Sequence, residues 1–503
     1  MSLFNRSYTR ISTVIDDWEA SIGVNYVVVG IIRTARKQKL NGELFFFVKI
    51  RDGSHIKELQ LIFDGKKFDL NILKSKFQTG ASMKVNGIIV KSPAPGQDIE
   101  MLVEKIIDIG EVKDPLSYPL SKKDHHIDHI RMYPELRTRL PEQQVRTILR
   151  HNISYAIIKH FNKQGMRWIH TPILTSSDCE GVGEVLSVST LMKTFRADIP
   201  TAIITKKEKY QSSTGKIKTR KISEPSDEID YTKDMFHRRA YLTVSGQLHV
   251  ESVACQIGDS FTCGPIFRAE GSDSFKHVAE AWLVEPELWY VELKDLIDHA
   301  EDVIKFTITY LIKKHQSYLK YIDHNAPGHI NAMMKWVNEP FIRKRYSEVI
   351  NILQEAHEKV IFEHPIEYGE DLGSEHEKYL TDVHFKGSFV VVTHWPKKIK
   401  AFYMLENSDD AELCDCFDIL CPYVGELVGG SMREHRYEKI MKTIEERGMD
   451  KTPLEFYLRL RKFGPMPHGG YGIGLDRLVM LLTGTRHIKE AITFPRSAGS
   501  ITC

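Results

Sequence analysis

The chain has 503 residues, with 69 Lys and Arg against 67 Asp and Glu and a formal net charge of +2. This length exceeds one ordinary domain and suits two or three with sizeable cores. Apolar residues at 42% and charged residues at 27% exclude a disordered or collagen-like chain, and no apolar run reaches the roughly 18 residues of a membrane span.

At the N-terminus Arg6 and Arg10 are soon followed by Asp16, Asp17 and Glu19, with no apolar signal core. The expected location is the cytoplasm, a short organellar presequence being the alternative. Residues 24–110 read as five closely spaced strands: "VNYVVVGIIRTARKQ", "ELFFFVKIRDGS", "ELQLIF", "SMKVNGIIVKS" and "IEMLVEKIIDI". Asn41-Gly42, Asp52-Gly53, Asp64-Gly65 and Pro93–Gly96 supply the turns between them. A helix-like piece, Phe68 to Phe77, follows the third strand. That order is the order of an OB-fold, a small barrel whose strand face often binds oligonucleotides. The first domain is therefore set at 1–112.

Residues 113–135, with Pro115, Pro119, Pro134 and "SKKDHHIDH", read as a linker. The second domain, 136–503, opens with a helix from Pro141 to Gly165. "MRWIHTP" follows as a strand, and a polar, charged stretch at 206–234 reads as an exposed insertion. Gly264 to Trp289 alternate as a hairpin that carries Arg268, Glu270, Glu280, Glu285 and Glu287 among Phe, Trp and Leu. A long helix is predicted over 292–320. "GGYGIGLDRLVMLLTG" ends the domain as a glycine-rich strand entering a helix capped by Gly484. Strands and helices alternate without βαβ regularity, so the fold class is α+β with a largely antiparallel sheet flanked by helices. Cys414, Cys416 and Cys421 lack paired C-x-x-C spacing, so they read as buried thiols and no zinc is expected.

Three stretches, "GMRWIHTPILTSSDCEG", "FRAE" within the hairpin and "GIGLDRL", stand in order behind the barrel. They resemble motifs 1, 2 and 3 of the class II aminoacyl-tRNA synthetases, in the OB-fold subgroup of aspartyl, asparaginyl and lysyl enzymes. "VSGQLH", "HVAEAWLVEPE", "KAFYM" and "VGELVGGSMRE" are most similar to the asparaginyl enzymes. The resemblance covers essentially the whole chain. It implies ATP and Mg2+, L-asparagine and tRNA(Asn) as partners, and a homodimer braced through the motif 1 stretch ending at Pro172.

The chemistry is consistent with this. When a carboxylate attacks the α-phosphate of ATP, negative charge gathers on the phosphoryl oxygens. The reaction then needs positioning and fixed cations more than a nucleophilic side chain. Arg268 on a rigid strand can fork to the α-phosphate and the substrate carboxylate together; a structural salt bridge is the alternative, and the resemblance implies that it is the catalytic residue. Arg477 near a helix N-terminus would meet the γ-phosphate, while Gly472 and Gly474 admit close approach of the nucleotide.

By resemblance, Glu270 contacts adenine or the tRNA end, and His277 is a second polyphosphate contact. Glu426 is the Mg2+ ligand and Asp418 a second candidate, with a solvated surface carboxylate as the alternative for Asp418. Glu180 takes the substrate amino group, and Ser245 and Gln247 line the same pocket. Two positions depart from the family pattern: Ala281 replaces the aromatic that lies against adenine, and Lys276 replaces an arginine.

At the side-chain end, Glu285 can accept from an NH2 while Arg433 donates to a carbonyl, which matches a carboxamide. Val250 stands where the aspartyl enzymes carry a lysine. A Glu285–Arg433 ion pair is the structural alternative. In the barrel, Phe47 matches an anticodon-stacking aromatic, Gln60 a base-edge hydrogen bonder and Arg33 a backbone contact. Three other readings stay open: an aspartyl enzyme, possibly serving both tRNAs; a tRNA-independent asparagine synthetase; and a non-enzymatic paralogue.

Overall fold

The computed structural model describes the chain apart from residues 1–5, 122, 178, 180–184, 192–198, 212–216 and 273. It divides into two compact units. One comprises residues 1–151 with 315–321 and the last two residues, and the other comprises 152–314 and 322–501. The division thus falls within the helix Pro141–Lys163.

The first unit holds five strands: β1 Asn25–Leu40, β2 Glu43–Arg51, β3 Leu59–Asp64, β4 Ser82–Lys91 and β5 Ile99–Gly110. β1 pairs with β2 and β4, and β5 pairs with β3 and β4, which closes a barrel. Asn41 and Gly42 have φ of 49° and 89°, the positive values that a two-residue turn between β1 and β2 requires. Period-two alternation fills the barrel. Phe46, Val48 and Ile50 point inward from β2, and Met83, Val85 and Ile89 from β4. Each side chain so buried stabilises the fold by about 1.5–3 kcal/mol. The helix Leu70–Lys76 lies between β3 and β4, its first turn capped by Asp69, which accepts from the amides of Asn71 and Ile72.

The second unit is built on an eight-stranded sheet. Its strands include β6 Arg167–Trp168, β12 Ser260–Phe267, β13 Glu280–Trp289, β14 Ile342–Arg345 and β15 Val390–Thr393. β16 Cys416–Cys421, β17 Gly425–Met432 and β18 His468–Gly474 complete it, in the order β14-β15-β16-β17-β18-β13-β12-β6. All neighbours are antiparallel except the two edge pairs. β7 Leu174–Thr175, β8 Ser187–Val188 and β11 Ala240–Leu242 form a small separate sheet.

The predicted insertion is a two-stranded hairpin, β9 Thr201–Gln211 with β10 Ile217–Ile229. The helix predicted over 292–320 ends earlier, at Lys314, and a second runs from Gln316 to Asn325. Leu296, Ala300, Val303, Ile304, Thr307 and Leu311 are buried along the first, the 3–4 spacing of one helix face. That face packs against β16, β17 and β18. Cys414, Cys416 and Cys421 are buried, and burial pushes the Cys414 thiol up to about 12.

Candidate active site

Strands β13, β17 and β18 border two adjoining cavities. The larger, about 600 Å3, is lined by Ser245, Gln247, Glu285, Tyr403, Asp418 and Arg433 among others. The smaller, about 140 Å3, is lined by Glu270, His277, Ala281, Trp282, Gly474 and Arg477. Arg268, Leu283, Glu426 and Gly472 border both. A Cβ on Gly472 would meet no protein atom nearer than 3.8 Å, so the missing side chain leaves open space at a position that lines both cavities.

The hairpin register explains the charges on its strands. Thr262 faces Glu285 and Ser260 faces Glu287 across β12 and β13. Glu285 is buried and accepts from the Ser245 hydroxyl and, at 2.9 Å, from the Gly246 amide. Burial pushes its carboxyl up to about 7, although the Ser245 and Gly246 hydrogen bonds pull the other way.

Arg433 does not pair with Glu285. Its Nε lies 3.2 Å from both Glu287 oxygens, its Nη2 donates to Glu287 at 2.5 Å, and its Nη1 reaches Ser431 Oγ at 2.8 Å. The ion pair allowed for at Glu285 is therefore made one pleat along, by Glu287. Gly470 makes room for it, since a Cβ there would lie 2.3 Å from the Glu287 carboxyl.

Behind this pair is a layer that the motifs did not single out. Glu251 is fully buried and accepts from Arg461, from Tyr457 Oη at 2.9 Å and from His468 Nε2 at 2.7 Å. Burial opposes the charge on His468, but Glu251 outweighs it and the imidazole rises to about 10. The only sequence sign of this layer was charge inside apolar runs, as at Glu287 and Glu251. Gln247 Nε2 is buried against the larger cavity with no hydrogen-bond partner among the described residues.

At the smaller cavity, Arg268 follows β12 directly, and its amide still bonds across the hairpin to Ala279 O at 3.0 Å. His277 Nδ1 lies 2.8 Å from Ser274 Oγ and 3.5 Å from Glu270. Burial keeps this imidazole below its ordinary value; Glu270 opposes that, while Arg477, Lys276 and Arg268 reinforce it. Arg477 sits in the first turn of the helix Leu475–Thr483. Its Nη1 donates to Glu426 O at 2.6 Å and approaches Glu426 Oε2 at 3.4 Å. Arg477 and His277, both expected on the polyphosphate, thus stand against protein carboxylates. Lys276 is buried against Glu377 at 2.8 Å, and both Ala281 and Trp282 border the cavity.

Glu426 and Asp418 suit a hard divalent cation. A Cβ on Gly429 would lie 3.1 Å from Glu426 Oε1 and 3.5 Å from Asp418 Oδ1, so two carboxylates converge on space that only glycine leaves free. Burial opposes the charge on Glu426, yet Arg477, Lys400, Arg268 and Lys276 hold it below the usual carboxylate value. Asp418 goes the other way: burial raises it to about 7, only partly offset by Lys400 at 2.6 Å. Glu180 lies outside the described residues.

In the barrel, Phe47 is half-buried, with Phe45 6.4 Å away and the Arg36 guanidinium 5.1 Å from its ring centre. Arg33 borders a cavity with Arg51 and Lys84. Gln60 differs from expectation. It is 5% exposed and donates to Glu100 Oε2 at 2.9 Å, because a buried amide on an otherwise apolar strand takes a protein partner.

Residues 128–498 match the family described as tRNA synthetases class II (D, K and N). The chain belongs to that family. It is 38% identical over 471 residues to an asparagine--tRNA ligase of Azobacteroides pseudotrichonymphae, covering 93% of this chain and 94% of the relative. To an asparagine--tRNA ligase of Photobacterium profundum it is 36% identical over 495 residues, covering 98% and 99%. Its fold is similar to that of asparaginyl-tRNA synthetase from Pyrococcus horikoshii complexed with asparaginyl-adenylate. That match has TM-score 0.79 and 25% identity, over 99% of this chain and all of the other.

Proposed function

We propose that the chain activates L-asparagine with ATP to asparaginyl-adenylate and transfers the asparaginyl group to the 3′ end of tRNA(Asn). The observation that carries this reading is the placement of Arg268 and Glu426 at the border of both cavities. The substrate carboxylate would attack the α-phosphorus where the cavities meet, releasing pyrophosphate. A ribose hydroxyl at the tRNA end would then displace AMP from the acyl carbon. Arg268 orients the two anions and meets the charge that develops. Mg2+, held by Glu426 and Asp418, would lend positive charge to the phosphate oxygens. Arg477 and His277 would exchange their carboxylate partners for phosphate oxygens.

Asparagine is favoured by charge. The guanidinium of Arg433 is already matched by Glu287, and Glu285 adds an acceptor beside it, so the side-chain end has no surplus cation for a carboxylate. Val250 is buried on the helix Gln247–Ile257 and supplies none. Gln247 Nε2 offers an unused donor to the bound amino acid. A homodimer is supported by the edge strand β6 and the residues after it, where Trp168, Ile173 and Leu174 are 43–44% exposed. ATP–pyrophosphate exchange with asparagine and aspartate side by side, with and without tRNA, tests the reading. Exchange on aspartate but not asparagine would overturn it, and sedimentation would check the dimer.

A further inference from the structure

The hairpin β9–β10 is anchored at its base and differs in charge from the chain as a whole. The Asp230 amide donates to Pro200 O at 2.8 Å, closing the base. Beyond it, Asp234 accepts from Thr190 Oγ1 at 2.6 Å and Thr190 N at 3.0 Å. The outer half, residues 206–211 and 217–221, holds Lys206, Lys207, Lys209, Lys218, Arg220 and Lys221 against Glu208 alone, in a chain whose total charge is +2. The acidic residues Glu224, Asp227 and Glu228 sit toward the base. The charge is therefore segregated along the ribbon.

Lys207 stands directly opposite Lys221 in the strand register. Glu208 stands opposite Arg220 in the same register, so the one acidic residue of this half is matched and the remaining cations are in excess. Lys209, Thr219 and Lys221 are exposed, and the ribbon pairs with no third strand among the described residues. Strand β9 has 11 residues, a reach of roughly 35 Å at about 3.3 Å per residue. At the base, the chain runs from the single turn Tyr231–Lys233 through β11 to Ser245 and Gln247 of the larger cavity.

We propose that this hairpin is a second RNA-binding element, which grips the sugar-phosphate backbone of the tRNA without reading its sequence. The inference rests on the proposed activity, because the transfer step must bring an RNA end to the cavity whose lining begins just after the hairpin. Its cations would displace condensed counterions along a phosphate track, so binding through it is salt-dependent.

Two variants test this: one with all six cations changed to Gln, and one in which 201–229 is replaced by a short Gly-Ser turn between Pro200 and Asp230. Asparagine-dependent pyrophosphate exchange without tRNA should stay unchanged in both. In aminoacylation, KM for tRNA should rise by about tenfold or more. The slope of log kcat/KM against log salt should become shallower by roughly 0.7–0.9 for each phosphate that the hairpin no longer neutralises. Unchanged KM and slope with intact exchange would overturn the proposal. So would a loss of exchange equal to the loss of aminoacylation, because the hairpin would then be structural. Failure of the unaltered protein to exchange with asparagine would instead overturn the proposed activity.

Discussion

The two ends of the cleft handle charge in opposite ways. At the amino-acid end Arg433, Glu287, Glu285, Glu251 and His468 are buried, and each is held by protein partners that a ligand need not displace. At the nucleotide end Arg268, His277 and Arg477 are half-exposed, and Arg477 and His277 stand against Glu426 and Glu270. One end is built to keep its geometry whether or not substrate is present. The other is self-neutralised and, on the proposed reading, would change partners when phosphate arrives. Selectivity between near-identical side chains needs fixed dipoles. A multiply charged ligand can supply its own driving force for rearrangement.

Four experiments would break or sharpen this contrast. The largest effect is expected from Glu287→Ala, which leaves the Arg433 charge buried without its partner at about 3–5 kcal/mol of stability. Denaturant unfolding checks it, and a cost under about 1 kcal/mol would show that the rigid end is not held by this pair. Arg268→Ala should leave folding intact while lowering adenylate formation by about 10²–10³-fold, or ~2.7–4 kcal/mol. Pyrophosphate exchange within a few-fold of the unaltered protein would remove Arg268 from its role.

The third concerns Glu285, whose carboxyl is pushed up to about 7 by burial. Ionised, it accepts from a carboxamide and repels a carboxylate; protonated, it can donate to aspartate. The preference for asparagine, as a ratio of kcat/KM values, should therefore grow as pH rises through about 7. The ionised fraction goes from about one tenth to about nine tenths over the two units centred on the pKa. Glu285→Gln should flatten that profile and lower discrimination by about tenfold, ~1.4 kcal/mol. A ratio that is level with pH in the unaltered protein would show that Glu285 does not set the choice. The folded-state pKa is raised, so this group favours the folded state most at low pH and loses that contribution as pH passes about 7. The smallest effect belongs to the adaptable end: Ala281→Phe should tighten ATP by about 0.5–1.5 kcal/mol. Unchanged affinity, read by calorimetry, would mean that Trp282 already fills the place.

Much of this was legible in the residues. Alternation, turn chemistry at Asn41-Gly42 and a glycine cap at Gly484 define the barrel strands and the closing helix, because those signals are local and of fixed period. Arg268, Glu270, His277, Gly474 and Arg477 could be nominated because short motifs keep chemically demanding groups at fixed spacing. Tertiary structure decided the partners. Glu285 and Glu287 share one face of one strand, and nothing local says which of them holds Arg433. That depends on β18 offering Gly470 beside Glu287, and on Ser245 and Gly246 reaching Glu285 from a separate loop. Gln60 turned from a surface reader to a buried partner of Glu100 for the same reason: burial is set by what the barrel closes over. The buried layer of Glu251, Arg461 and His468 joins residues more than 200 positions apart. Ion pairs over such separations are made by packing, and sequence spacing carries no record of them.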